Sequence, residues 1–269
     1  MSKRVVLVGC GNMGYAMLKG WLAAGKLSAS EISVVEPNSD LRARAEGHGV
    51  SAAAEPGSLG LTEADLIIFA VKPQMIRDVV PNYRSFAPDA TFLSVAAGTA
   101  MATFEELLGS EAAVIRCMPN TPAAIGKGML VVFSNRNVRA EVKAFVNDLL
   151  TANGAVAGVE DERLMDAVTA VSGSGPAYVF HFIECLTAAG EKAGLPGETA
   201  KLLAMQTVYG AAVLAKESGE EPGKLREQVT SPNGTTAAAL AILMGEERLQ
   251  TLVTEAVDAA RQRSIELGK

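Results

Sequence analysis

The chain has 269 residues with a formal net charge of −6 at pH 7, enough for one large or two ordinary domains with an ample core. A pI near 5.2 with no Lys/Arg run excludes the electrostatic footprint of a nucleic-acid binder, and Cys10, Cys117 and Cys185, odd in number and widely spaced, give neither a disulfide framework nor a zinc site. A hydrophobic content of 49% implies strong packing and further apolar surface buried between subunits. No stretch reaches the ~18 apolar residues of a membrane span, and the apolar run at residues 5–8 is too short for a signal peptide, so a cytoplasmic location is expected.

The first element is Val5-Val6-Leu7-Val8, an apolar strand stopped by the turn Gly9-Cys10-Gly11-Asn12-Met13-Gly14. Helical spacing of Met13, Met17, Leu18, Trp21 and Leu22 follows, which makes strand, turn and helix. Gly9 allows the tight turn, Gly11 lets the backbone approach a pyrophosphate, and Gly14 lets helix and strand pack closely. The helix start offers free N–H groups and a positive dipole end to the phosphates of a dinucleotide. A second strand, Ile32-Ser33-Val34-Val35, ends in Glu36, where a carboxylate accepts hydrogen bonds from an unphosphorylated ribose and repels a 2′-phosphate. The alternative is a solvated strand end, with Asn38, Arg42 or Arg44 free to meet a phosphate.

Residues 40–48 read as a helix, ended by His48. The run Leu66-Ile67-Ile68-Phe69-Ala70-Val71 is that of a parallel strand buried on both faces, and Pro73 ends it. Its carboxyl end, Ala70-Val71-Lys72-Pro73, lies on the edge where open α/β sheets bind ligands, although Lys72 alone reads as a solvated loop lysine. Strands are predicted at residues 92–95, 114–117 and 130–133, and helices at 104–108 and 142–150. Two strands run into site-building turns, Ala96-Ala97-Gly98 and Met118-Pro119-Asn120-Thr121-Pro122; Asn120 and Thr121 read equally as turn-formers.

Alternation ends near residues 155–159, and only helical periodicity follows. The boundary is therefore placed at 158, between an α/β domain (1–158) with a mostly parallel sheet and an all-helical domain (159–269). A helix beginning near Glu162 meets Ser172-Gly173-Ser174-Gly175-Pro176, which kinks it and frees backbone N–H groups, and resumes over residues 177–192. A broad apolar stripe follows over residues 199–217. The polar turn Val229-Thr230-Ser231-Pro232-Asn233-Gly234-Thr235-Thr236 opens into a helix over 237–244; its hydroxyls and N–H groups suit a carboxylate, or the Ser and Thr merely cap the helix. A last stripe, Leu249, Leu252, Val253, Ala256, Val257 and Ala260, needs a helical partner, most simply a second subunit. His48 and His181 lack a ligand cluster and read as structural, with no metal site.

Five segments, Gly9 to Gly14, Ala70 to Pro73, Met118 to Ala123, Ser172 to Tyr178 and Val229 to Thr236, stand in the order and separations of pyrroline-5-carboxylate reductase, which the whole chain resembles. The resemblance implies reduction of 1-pyrroline-5-carboxylate to L-proline with NADPH or NADH. It also implies a Rossmann domain, a helical domain interlocked with its twin in a homodimer, and sometimes a decamer of five dimers. By position it places the dinucleotide on Gly9, Cys10, Gly11, Asn12, Met13 and Gly14, on Glu36, on Val71 and Lys72, and on Ala97. It places the substrate on Glu162, Ser174, Gly175, Pro176, Ser231, Gly234, Thr235 and Thr236, with Thr236 as partner of the ring nitrogen and the two substrate segments coming from different subunits. Asn233 departs from the family's glycine, tolerably because Asn accepts positive φ. Glu36 departs from the small or neutral residue of NADPH-preferring relatives and tilts the expectation toward NADH.

Two rival readings stand beside this one. A β-hydroxyacid dehydrogenase shares the plan but uses a lysine and an asparagine on the helix entering the second domain, where this chain has Ser172 to Pro176 and only the late Lys192. A non-catalytic NAD(P)H sensor would have no use for the turn at Val229 to Thr236.

Overall fold

The structure is a computed structural model and describes residues 3–268. The chain divides into two compact units, residues 1–174 with 260–269, and residues 175–259. In the first, β1 (Val5–Val8), β2 (Ile32–Val35), β3 (Ser51–Ala53), β4 (Leu66–Phe69), β5 (Thr91–Ser94), β6 (Ala113–Met118), β7 (Gly128–Ser134) and β8 (Gly154–Gly158) form one sheet in the order β3-β2-β1-β4-β5-β6-β7-β8. Every pairing is parallel except β6 with β7. The central strands β1 and β4 are buried throughout, which their unbroken aliphatic sequences require when helices cover both faces.

The helices of this unit are α1 (Asn12–Ala23), α2 (Ser39–Glu46), α3 (Ile76–Val79), α4 (Met101–Leu108), α5 (Ala140–Leu150) and α6 (Met165–Val168). Met17, Leu18 and Trp21 of α1 and Val142, Val146, Leu149 and Leu150 of α5 build the core on one face of the sheet. Phe69, Tyr83, Phe92 and Phe104 anchor the other. Between α6 and α7 (Gly175–Lys192) the chain makes a π-helical turn, Thr169–Gly173.

The second unit is helical, comprising α7, α8 (Gly197–Glu217), α9 (Pro222–Gln228), α10 (Thr235–Met244) and most of α11 (Arg248–Leu267), whose last turns belong to the first unit. Of its residues only Ala200 and Ala204 are buried hydrophobics, while Phe180, Leu202, Tyr209 and Leu252 are more than half exposed. Among the described residues no helix is long and apolar enough to cross a membrane.

The sequence pattern missed β3, β8 and α9. Ser51, Ala52 and Ala53 lie on an edge and carry no large apolar side chain, β8 is made of glycine, alanine and one valine, and α9 is polar and fully off the core. The compact division falls after Ser174, because β8 pairs with β7 and the segment that follows stays bonded to the sheet through Glu162 and Asn120.

Candidate functional site

The glycine turn has the shape its three glycines allow. Gly9 has φ +90°, and a Cβ there would meet the Ala70 carbonyl oxygen at 2.7 Å; a Cβ on Gly14 would meet the Gly9 carbonyl oxygen at 2.2 Å. Gly11 differs, because a Cβ there would meet nothing within 4 Å. Open space thus lies in front of Gly11, at the N-cap of α1, where no side chain caps the helix and Asn12 is exposed. Uncapped N–H groups beside an empty approach are what a pyrophosphate needs, so the residues present fit a dinucleotide.

Glu36 is buried, at 7% exposure. Its Oε2 accepts from the Cys10 N–H at 2.7 Å and its Oε1 from the Asn38 N–H at 2.9 Å, so the carboxylate ties the end of β2 to the glycine turn. The next peptide, Cys10–Gly11, is held by Arg44, which donates to the Cys10 carbonyl at 2.8 Å and stacks 3.8 Å from the centre of the Tyr15 ring. Arg42 donates to the carbonyls of Glu36 and Pro37, and the Asn38 side chain caps α2. The three residues read as alternatives for a phosphate thus each help to hold this corner, while the Arg44 Nε is buried without a hydrogen-bond partner among the described residues. Burial pushes the Cys10 thiol up to about 11, which keeps it a neutral packing group. His48 bonds the Tyr15 hydroxyl at 3.0 Å, a structural use.

Ala70 and Val71 follow β4 directly, with Val71 packed against Gly9; Lys72 is exposed, and Ala97 lies in the turn after β5. Beyond Gly9 an apolar cleft of about 170 Å³ is lined by Val35, Pro37, Val71, Met75, Asn82 and Tyr83 among others. The Tyr83 side chain is buried and its hydroxyl has no hydrogen-bond partner among the described residues. An apolar slot with one orphaned hydroxyl beside the glycine turn is suited to a planar base, and sequence reasoning missed it because the periodicity around Tyr83 reads only as core.

Glu162, expected at the substrate, is held within the first unit. Its Oε1 accepts from the Met101 N–H at 2.6 Å and pairs with the guanidinium of Arg116 on β6, so it fixes the start of α4. The turn that follows is held by the Ser174 N–H, which bonds the Thr169 carbonyl at 2.9 Å. That N–H is accordingly not one of those freed by the kink, as the sequence had suggested. Gly173 packs on Met118, whose Cε lies 2.4 Å from where a Cβ would stand.

In the second unit, Asn233 has φ +57°, the left-handed conformation anticipated for it. Gly234 is the N-cap of α10 and no side chain caps that helix, so the hydroxyls of Ser231, Thr235 and Thr236 are not spent on capping. The Gly234 N–H is spent, bonding the Ser231 carbonyl at 3.0 Å, which corrects the expectation that it is free. A Cβ at Gly234 would meet Ser231 Oγ at 2.4 Å, so only glycine lets that hydroxyl lie over the helix start. Uncapped N–H groups ringed by hydroxyls at a helix N-terminus can hold a carboxylate.

Comparison with known proteins decides the lineage. Residues 162–267 match the family model for pyrroline-5-carboxylate reductase dimerisation, and residues 4–98 match one for coenzyme F420-dependent NADP oxidoreductases. A pyrroline-5-carboxylate reductase of Pseudomonas aeruginosa is 40% identical, with 100% of this chain and 98% of the relative covered. The chain belongs to the pyrroline-5-carboxylate reductase family.

A solved pyrroline-5-carboxylate reductase from Coxiella burnetii superposes with a TM-score of 0.94 at 33% identity, over 100% of both chains. The Plasmodium falciparum pyrroline carboxylate reductase, solved with NADP bound, gives 0.86 at 31% identity, over 99% of this chain and 98% of that one. The family assignment accounts for the dimerisation domain in the helical part and for the apolar faces of α7, α8 and α11, which support a homodimer.

Proposed function

We propose that this chain reduces 1-pyrroline-5-carboxylate to L-proline with NAD(P)H, the last step of proline synthesis, as a cytoplasmic enzyme whose working unit is a homodimer. The observation that carries the proposal is full-length kinship to reductases of that name, joined to a glycine turn that leaves open space before the start of α1. In functional terms the division stays where the sequence put it, with dinucleotide binding in residues 1–158 and substrate binding and dimerisation in 159–269.

The dinucleotide, when bound, supplies the hydride that reduces the imine carbon. Gly9 to Gly14 would hold its pyrophosphate, Val71, Lys72 and Ala97 would line its path, and Glu36 would meet the adenosine ribose. The imine nitrogen gains a proton as its carbon gains hydride, so the site must accept positive charge there. Thr236 orients that nitrogen through its hydroxyl. The N–H groups of Gly175 and Thr235 and the hydroxyl of Ser231 hold the carboxylate, and Pro176 shapes the wall. Glu162 acts at one remove through Arg116 and the start of α4.

Glu36 favours NADH. Its two carboxylate oxygens are fixed by the Cys10 and Asn38 N–H groups, so a negative charge stands at the end of β2, where it would accept from a free ribose and repel a 2′-phosphate. The test of the reaction is the fall in NADH or NADPH absorbance on adding 1-pyrroline-5-carboxylate, with Thr236→Ala as the variant. It should lower kcat/KM roughly 10- to 1000-fold, about 1.4 to 4 kcal/mol of transition-state binding. A flat trace with wild-type protein and bound dinucleotide would instead favour a sensor.

A further inference from the structure

A proline inside a helix has no N–H for the carbonyl four residues before it, and its ring crowds that carbonyl. In this chain the proline is Pro176 and the carbonyl is that of Ser172. The backbone widens just there into the π-turn Thr169–Gly173, closed by the bond from the Ser174 N–H to the Thr169 carbonyl at 2.9 Å. The widening relieves the crowding and leaves the Ser172 carbonyl in need of another donor.

That donor comes from 52 residues earlier in the sequence. Asn120 Nδ2 donates to the Ser172 carbonyl at 3.1 Å, and a second contact reaches Ser172 Oγ at 3.4 Å. Its Oδ1 accepts from the Met129 N–H at 2.8 Å, which anchors the same amide to the start of β7. Asn120 lies between Pro119 and the Thr121-Pro122 pair and forms the N-cap of the short turn Thr121–Ile125, yet its side chain makes no capping bond there. An asparagine beside prolines ordinarily serves its own turn; this one serves the sheet and the π-turn.

We infer that Asn120 is a positioning residue, replacing the donor that Pro176 cannot supply and thereby fixing the path of the backbone from Ser172 into Ser174 and Gly175. The inference rests on the functional reading only for what the segment does, namely bind the substrate carboxylate. The local geometry stands without it. Met118 reinforces the arrangement, since its terminal methyl, Cε, fills the space that a side chain at Gly173 would occupy.

The discriminating variant is Asn120→Asp in the full-length protein. It keeps an oxygen for the Met129 N–H and sets a carboxylate against the Ser172 carbonyl, so the bond to that carbonyl is lost and the anchor to β7 is kept. Hydrogen exchange followed by mass spectrometry should show the peptide covering residues 169–178 exchanging about tenfold faster or more, with the peptides of β1 and β4 unchanged. The dissociation constant for NADH or NADPH should stay within about twofold, while kcat/KM for 1-pyrroline-5-carboxylate falls roughly 10- to 100-fold. Unchanged exchange at 169–178, acceleration spread evenly over the sheet, or dinucleotide affinity falling in step with turnover would each overturn the assignment, as would faster exchange with wild-type kinetics. A wild-type protein inert toward 1-pyrroline-5-carboxylate would refute the functional reading, and the exchange result would still decide the role of Asn120 in holding the turn.

Discussion

At the scale of single residues, Glu36 has two jobs that can be separated. One, seen in the structure, is to accept the Cys10 and Asn38 N–H groups; the other, on the proposed reading, is to oppose a 2′-phosphate by charge. Glu36→Gln keeps the size and one acceptor oxygen and removes the charge. The ratio of kcat/KM for NADPH to that for NADH should then rise about tenfold or more, some 1.4 kcal/mol in relative transition-state binding. Steady-state kinetics with the two dinucleotides measures it, and an unchanged ratio would take Glu36 out of cofactor choice. Buried thiols make a second residue-scale prediction. Burial raises Cys10 to about 11 and Cys117 to about 12, against an ordinary value of 9.0. Above pH 9 the unfolded chain loses these protons and the folded chain keeps them, so stability is complete below pH 9 and declines as pH rises from 9 toward 11 and 12. Urea midpoints taken from pH 8 to pH 11 should fall, and Cys117→Ala should flatten part of that decline.

At the scale of elements, the pair of Arg116 and Glu162 joins β6 to the start of α4. The Arg116 side chain is 10% exposed and that of Glu162 29%, so neither charge is well solvated and removing one leaves the other costly. Arg116→Ala should lower stability by about 1–3 kcal/mol, at or below the range for a fully buried pair because Glu162 can still reach water. Equilibrium urea denaturation checks this, with Glu162→Gln, which keeps an acceptor for the Met101 N–H, expected to cost less. Elements of this kind divide what the sequence made legible from what it did not. Strands such as β1 and β4 announced themselves because burial on both faces demands unbroken aliphatic runs. The edge strand β3 and the small-residue β8 answered to no such demand. The glycine turn was legible because its chemistry is local. The uses of Glu162, Asn120 and Tyr83 were not, because each is defined by a partner or a cleft distant in sequence.

At the scale of the whole molecule, the dimerisation family model spans residues 162–267 and so takes in every helix of the second unit, α7 to α11. Its apolar residues face outward, with Phe180 58%, Leu202 67% and Leu252 64% exposed, and a groove of about 490 Å³ between α7 and α8 is lined by Phe180, Ile183, Thr187 and Met205. Such surface gains stability only by burial against a second copy, so stability should depend on protein concentration. A charge on α11 separates assembly from cofactor binding. Leu252→Asp should shift sedimentation from a dimer, or from a decamer if dimers assemble further, to a monomer. The glycine turn, Glu36 and the ends of β1 and β4 lie wholly within the first unit, so the monomer should keep its NADH affinity within about threefold, an interaction energy too small to register against ordinary mutational scatter. Turnover of 1-pyrroline-5-carboxylate should fall by about 100-fold or more if, as the proposed function has it, the substrate segments at Ser174 and Thr236 come from different subunits, since a misplaced group loses rate on that order. A monomer with full turnover would mean that one chain completes the substrate site alone, and a monomer that no longer binds NADH would mean that the dinucleotide site also needs the second subunit.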